Sequence, residues 1–379
     1  MDFQTQKYLM IIAGETSGDR IAALLAKEIL EKHPQVRLRG LGGPMMREAG
    51  VELLRDMTSL AVVGLIEVLK NYSEFKKIFR QVLDEVDRQK PEAVILIDFP
   101  GFNLRLAKEL HKRGIRIIYY VSPQIWAWGK RRIGLIRRVV NQMIVILPFE
   151  EKFYRGEGVH VHYAGHPMVD YYQNYSDAPD FEKKLSASRP RIAILPGSRP
   201  HEIQRHLPPL LEAAETLQKF LPEASFIIPC ANETIFQEAA KYIGNKNFIR
   251  PFLHSMKECL THADFAWVCS GTATLETAFF AVPMIVVYKT SAFTAFVARK
   301  VIRVPFIGLV NLVAGKELAP ELLQEDFNPE NLAGKTLEYL KDTNRLSMMK
   351  KELEKIREIL GKPGASRRAA EIILEAVHL

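Results

Sequence analysis

Two doubly wound parallel α/β domains facing one another across a central cleft are the fold class this sequence predicts. Three observations predict it. At 379 residues the chain exceeds what one hydrophobic core comfortably serves. Short apolar runs alternate with amphipathic stretches along both halves, the pattern of repeated strand–helix units. Several of these runs are apolar throughout, as in parallel strands covered on both faces.

The first run is Tyr8–Ala13, followed at once by Gly14-Glu-Thr-Ser-Gly-Asp19 and a helix carrying Ile21, Leu24, Leu25, Ile29 and Leu30. Its two glycines do not make the G-x-G-x-x-G dinucleotide fingerprint, and Glu15 and Asp19 repel a pyrophosphate. The loop therefore reads as facing a sugar or an acceptor, or else as a plain glycine turn with Ser17 or Asp19 as helix cap. Val36–Leu41 gives a second strand. Leu60–Lys70 is strongly apolar, and Tyr72–Val86 mixes aromatics with Lys76, Lys77 and Arg80. Such a segment suits a membrane interface, or a helix that is core on one face and solvated on the other.

Ala93–Ile97 is the next strand and ends in Asp98-Phe-Pro-Gly-Phe-Asn103. Open α/β sheets keep their ligands at the carboxyl ends of strands, which makes Asp98 a candidate general base; capping is the structural alternative. Ile115–Val121 and Gln142–Leu147 continue the sheet. Between them Trp126, Trp128 and Lys130–Arg132 also suit single-stranded nucleic acid. The polar stretch Asp170–Arg189 marks a linker, giving a first domain over 1–168 and a second over 169–349.

In the second half Arg191–Leu195, Phe226–Pro229, Phe248–Arg250, Phe265–Val268 and Met284–Tyr288 are the strands. Two turns there suit phosphate. One is Gly197-Ser198-Arg199, whose guanidinium can grip a diphosphate bidentately. The other is Ser270-Gly271-Thr272, with Thr272 placed as N-cap and Glu276 one turn in, where a carboxylate can accept from ribose hydroxyls. An ordinary βαβ unit whose Ser and Thr cap a helix gives the same pattern. There is no Walker-type Gly-Lys-Ser/Thr and no Asp-x-Asp, so neither ATP hydrolysis nor a metal-held diphosphate is signalled.

Composition is that of a globular protein, with 47% apolar and 25% charged residues and a net charge of +8 that favours anionic partners. Three cysteines without metal-ligand spacing fit a reducing compartment. No charge-free run reaches the ~18–20 residues that cross a bilayer. The N-terminus shows no basic region or cleavage site, so a cytoplasmic protein, at most peripheral on a membrane, is expected.

Seven segments in order resemble one family, the lipid-A-disaccharide synthases, which are inverting glycosyltransferases of the GT-B fold. They are Ala13–Asp19, Ile97–Asn103, Tyr120–Trp128 and Leu147–Glu150 in the first half. In the second they are Leu195–Arg199, Ser270–Glu276 and Asn311–Leu318. One departure is Phe99-Pro-Gly-Phe102, where the family often carries a second acidic residue after the proline. The resemblance implies that UDP-2,3-diacylglucosamine donates its sugar to 2,3-diacylglucosamine 1-phosphate (lipid X), giving the β(1→6) disaccharide 1-phosphate and UDP. It implies a first domain for acceptor and lipid and a second for the nucleotide sugar, with residues 350–379 returning across the first. It places Asp98, with Glu15 and Ser17, in catalysis, and Gly197, Ser198, Arg199, Glu202, Ser270, Gly271, Thr272, Glu276 and Asn311 at the UDP donor. No cofactor and no metal are implied. Leu60–Arg80 would meet the cytoplasmic face of the inner membrane. Two other readings compete. One is another GT-B enzyme acting on a UDP-sugar, such as a UDP-N-acetylglucosamine 2-epimerase or a peptidoglycan glycosyltransferase. The other is a basic RNA-binding protein, which gives no reason for Glu276 or the Gly197 turn.

Overall fold

The computed structural model describes residues 7–57, 72–127, 129–173, 180–291 and 304–379. The chain divides into two compact units, Met1–Asn174 with Leu360–Leu379, and Tyr175–Ile359. Each contains an all-parallel sheet built from the apolar runs.

In the first unit the strands are β1 (Tyr8–Ala13), β2 (Arg37–Gly42), β3 (Glu52–Asp56), β4 (Ala93–Ile97), β5 (Ile117–Tyr120), β6 (Gln142–Val145) and β7 (Val161–Tyr163). They lie in the order β3-β2-β1-β4-β5-β6-β7, every neighbouring pair parallel. Strand order therefore reverses between β1 and β4, whose ends are level: Ala13 pairs with Ile97. Every side chain of β1, β4 and β5 is buried, which explains why those runs carry no charged residue. The short strand β3, with no fully buried side chain, gave no apolar run to read.

The helix Tyr72–Gln89 covers this sheet with Ile78, Val82 and Val86 in the core and Phe75, Phe79 and Leu83 packed against it. Phe75 and Phe79 meet Phe99 and Phe102 at ring separations of 6.4 and 5.5 Å. This narrows the interfacial reading for 72–80: the apolar face is spent on the protein core, and what the helix exposes includes the cations Lys76, Lys77 and Arg80. Residues 58–71, with the apolar run from Leu60, lie outside the described residues. No helix among the described residues is long and apolar enough to cross a membrane.

The second unit holds β8 (Arg191–Leu195), β9 (Ser225–Cys230), β10 (Ile249–Leu253), β11 (Phe265–Cys269), β12 (Met284–Tyr288) and β13 (Glu321–Leu323) in the order β10-β9-β8-β11-β12-β13. The reversal here falls between β8 and β11, where Leu195 pairs with Val268. Fully buried Trp267 anchors the sheet, its indole N–H donating to Thr336 at 2.8 Å.

The tail behaves differently in its two parts. Residues 350–359, expected on the first domain, belong to the helix Thr343–Ile359, which packs on the helices Thr272–Phe279 and Pro329–Lys341 of the second unit. Its buried Met349, Leu353 and Ile356 are spent there. Only the segment from Leu360 joins the first unit, where the helix Ala365–Ala376 lies against Thr16–Lys32. Asp170 fixes it: its carboxylate accepts the N–H groups of Gly364 at 2.6 Å, Ala365 at 3.3 Å and Ser366 at 2.7 Å, an N-terminal cap supplied from 194 residues away. Lys32–Glu371 and Arg367–Glu28 ion pairs flank the contact.

Candidate active site

In each unit the chemistry-bearing turns leave the two strands that flank the reversal of strand order, the place where open α/β sheets form ligand crevices. In the first unit these are the turn after β1, holding Gly14, Glu15 and Ser17, and the turn after β4, holding Asp98. The two are in contact. A Cβ on Gly14 would fall 2.2 Å from the Phe99 ring, so only glycine lets the turns approach this closely.

Asp98 and Phe99 both adopt the left-handed region, with φ of 45° and 47°. Two successive non-glycine residues there cost on the order of 1–3 kcal/mol each. The Asp98 backbone is held accordingly. Its N–H donates to Tyr120 O at 3.2 Å, while its carbonyl accepts the Tyr119 hydroxyl at 2.6 Å and the Asn103 amide at 2.8 Å. Asp98 itself is half-buried at the end of the sheet.

Glu15 is the extended N-cap of the helix Thr16–Lys32, without a side-chain capping bond, and is half-buried; Ser17 is exposed. Neither Ser17 nor Asp19 caps this helix. Asp19 is buried, and its carboxylate accepts from the N–H groups of Gly43 (2.7 Å), Met45 (3.1 Å) and Met46 (3.1 Å). Burial raises its pKa, and these backbone bonds oppose the rise. Its charge is thus spent inside the fold instead of facing a ligand.

The loop after β5 is clamped rather than open. Buried Glu150 accepts from Ser122 Oγ at 2.7 Å, Trp126 Nε1 at 3.0 Å and Leu147 N at 3.1 Å, and desolvation raises its pKa. The Trp126 ring meets Phe149 edge-on at 4.9 Å. Its indole is therefore engaged in the protein, unlike the stacking platform a nucleic-acid reading needs; Trp128 lies outside the described residues.

In the second unit the turns after β8 and β11 are neighbours. Gly197 has a φ of 126°, and a Cβ there would fall 2.5 Å from the Glu202 carboxylate. Glu202 explains that closeness: it accepts from Ser198 N at 2.8 Å and Arg199 N at 3.2 Å, and pairs with Arg199 Nη1 at 3.3 Å. This capping box corrects two expectations. Glu202 binds its own turn, and the Ser198 and Arg199 amides are already engaged by a carboxylate. The Arg199 guanidinium stays partly exposed beside that carboxylate.

The second turn is built differently. Gly271, with φ 154°, is the N-cap, and exposed Thr272 is the first helical residue instead of the cap. The first turn of Thr272–Phe279 carries the positive end of the helix dipole; Thr274 N donates to Gly271 O at 3.1 Å, and the amides of Thr272 and Ala273 precede it in that turn. Ser270 donates its hydroxyl to Ile307 O at 2.9 Å, leaving its oxygen as an acceptor. Glu276, in the second turn, is 7% exposed. Asn311 is not available. It is fully buried, its Nδ2 donates to Ala319 O (2.7 Å) and Glu321 Oε1 (2.8 Å), and its Oδ1 accepts from Leu318 N and Ala319 N (both 2.8 Å). All four hydrogen-bonding positions of its amide are filled internally.

His206 went unread in the sequence, because a lone histidine in a leucine-rich helix carries no signal. It is buried beneath both turns. Each ring nitrogen faces a carbonyl, Nδ1 that of Pro196 at 3.1 Å and Nε2 that of Lys289 at 3.0 Å. The Lys289 N–H also lies 3.1 Å from Nε2, and burial lowers the ring's pKa while the two carbonyls oppose the fall. With Cys269 Sγ at 3.4 Å from Nδ1, one imidazole ties together the ends of β8, β11 and β12. Glu321 does the same for the Ile307–Asn311 segment, accepting Ile307 N at 2.9 Å and Gly308 N at 2.9 Å.

Comparison with known proteins adds to this geometry. The family model described as lipid-A-disaccharide synthetase matches residues 9–377. A lipid-A-disaccharide synthase of Trichlorobacter lovleyi is 40% identical over 375 residues, covering 98% of each chain. Lipid-A-disaccharide synthase 1 of Legionella pneumophila (strain Philadelphia 1) is 40% identical, covering 97% of this chain and 96% of its own. Among solved structures, the UDP-N-acetylglucosamine 2-epimerase of Neisseria meningitidis superposes with a TM-score of 0.68 over 97% of this chain and 100% of its own. At 13% identity that likeness speaks for the GT-B fold alone.

Proposed function

The chain belongs to the lipid-A-disaccharide synthase family, a family of hexosyltransferases, and from that premise we propose how its two units divide the reaction. The donor is UDP-2,3-diacylglucosamine and the acceptor 2,3-diacylglucosamine 1-phosphate (lipid X). The products are the β(1→6) disaccharide 1-phosphate and UDP. One observation carries this reading: in both units the family's motif turns leave the strands flanking the reversal of strand order.

Asp98 of the first unit is the base. As the acceptor hydroxyl attacks the anomeric carbon, the carboxylate takes its proton and the bond to the UDP oxygen breaks on the opposite face, inverting the anomeric centre. Glu15, on the adjoining turn, is the reserve base, and Ser17 offers an exposed hydroxyl to the acceptor. The second unit binds the donor. The departing diphosphate is stabilised by the Arg199 guanidinium and by the Ser270–Thr272 turn at the positive end of a helix, and Glu276 accepts from the ribose. Glu202 orients Arg199, and Gly197 gives it room. These charges supply stabilisation to the leaving group without a metal. The enzyme works on the cytoplasmic face of the inner membrane, where Lys76, Lys77 and Arg80 favour anionic lipid.

The test is direct. Purified protein given UDP-2,3-diacylglucosamine and lipid X should release UDP and disaccharide 1-phosphate in equal amounts. Failure with these substrates, together with epimerisation of UDP-N-acetylglucosamine, would refute the assignment in favour of the other enzyme class.

A further inference from the structure

We propose that Tyr119 and Asn103 are positioning residues for Asp98, holding the Asp98–Phe99 backbone in the left-handed conformation that aims the carboxylate. The inference rests on the reading of Asp98 as the base.

Both residues are fully buried, so neither can touch a substrate. Their donors converge on a single atom, the Asp98 carbonyl oxygen: the Tyr119 hydroxyl at 2.6 Å and Asn103 Nδ2 at 2.8 Å, the latter also reaching Ile97 O at 3.2 Å. Those bonds use both lone pairs of that oxygen. The chain leaves β4 through two consecutive left-handed residues, Asp98 (φ 45°) and Phe99 (φ 47°, ψ 54°), a conformation that persists only where the surroundings over-determine it. Relaxing the peptide to an extended conformation would swing its carbonyl away from both donors and carry the Asp98 side chain with it. Phe99 braces the far side, its ring stacked on Phe102 at 5.6 Å and lying over Gly14. Tyr119 comes from β5 and Asn103 from the helix Pro100–Lys112, so the clamp draws on two elements besides the turn it holds.

The experiment uses the full chain with UDP-2,3-diacylglucosamine and lipid X. Tyr119→Phe, which keeps the ring and removes only the donor, and Asn103→Ala are each made alone and in an Asp98→Asn background. Turnover, KM for the donor, UDP affinity by calorimetry and the unfolding midpoint are measured. A base displaced by a fraction of an ångström loses rate but not substrate binding. Turnover is therefore expected to fall about ten-fold or more in each single variant, with KM and UDP affinity within two-fold of the parent. In the Asp98→Asn background neither change should lower turnover further. Turnover within two-fold of the parent in Tyr119→Phe overturns the inference. So does an equal loss in both backgrounds, or a loss that tracks UDP affinity, each of which marks a merely structural role. Parental turnover in Asp98→Asn alone overturns the base assignment and this inference with it. Collapse in Asp98→Asn beside an unaffected Tyr119→Phe overturns this inference only.

Discussion

Acidification should destabilise the first unit through His166. This ring is 3% exposed and lies at the start of the helix Pro167–Gln173, its Nδ1 accepting the Met168 N–H at 3.2 Å. Burial, reinforced by nearby Arg20, lowers its pKa to about 3, against an ordinary value near 6.5. Because the folded-state value is depressed, the neutral ring's contribution is fully present above pH 6.5. It is lost as the pH falls, since the unfolded chain then binds a proton that the folded one refuses. Between pH 7 and pH 5 the unfolded ring becomes protonated over roughly 1.5 pH units below its own pKa. At about 1.4 kcal/mol per unit that removes about 2 kcal/mol. His166→Asn keeps an acceptor for the Met168 amide and cannot titrate. The assay is guanidinium unfolding at pH 7, 6 and 5 in a Trp267→Phe background, so that tryptophan fluorescence reports the first unit. His162, also held low by burial, titrates in both proteins and cancels from the comparison. The parent should lose about 2 kcal/mol more than His166→Asn across this range. Parallel pH profiles would refute the argument, because they would mean that the folded state accepts the proton at its ordinary pH.

Three further outcomes are expected. Asp98→Asn should lower turnover by ~100- to 10,000-fold while UDP binding, measured by calorimetry, stays intact, and EDTA should leave the parental rate unchanged. Arg199→Ala and Glu276→Ala should each weaken UDP binding roughly ten- to a hundred-fold, the equivalent of one charged hydrogen bond of about 1.5–3 kcal/mol. Replacing Lys76, Lys77 and Arg80 with glutamate should reduce sedimentation with anionic vesicles and leave the unfolding midpoint near the parent's, since all three side chains are exposed.

The strands of both sheets were largely legible because burial on two faces forces continuous apolar runs. Tyr8–Ala13, Ala93–Ile97 and Arg191–Leu195 can be read to the residue. The turns at the strand-order reversals were legible for a similar reason, as glycine marks close approach at Gly14 and positive φ at Gly197 and Gly271. Polar side chains were not legible in the same way. Asp19, Glu202 and Asn311 have the chemistry of ligand contacts, yet each is spent on backbone amides or carbonyls, and a sequence does not say which partner a carboxylate will find. His206 and Tyr119 were missed for the converse reason. Their partners lie up to 83 residues away in sequence, and nothing local distinguishes them from ordinary core residues.

The return of the chain after Leu360 has a consequence for biosynthesis. The helix Thr16–Lys32 emerges early from the ribosome, yet the helix that covers it, with Ala369, Ala370, Ile373 and Leu374 buried, follows some 340 residues later. Vectorial folding, which ordinarily completes an N-terminal domain first, must here wait until the whole second unit has been translated. During that interval the face that Ala365–Ala376 will occupy stays open, and the Lys7 ammonium still waits for its backbone acceptors at Val377 and His378. A nascent chain stalled anywhere in the second unit therefore presents an unfinished apolar surface to chaperones and proteases, even though its first sheet has already been made.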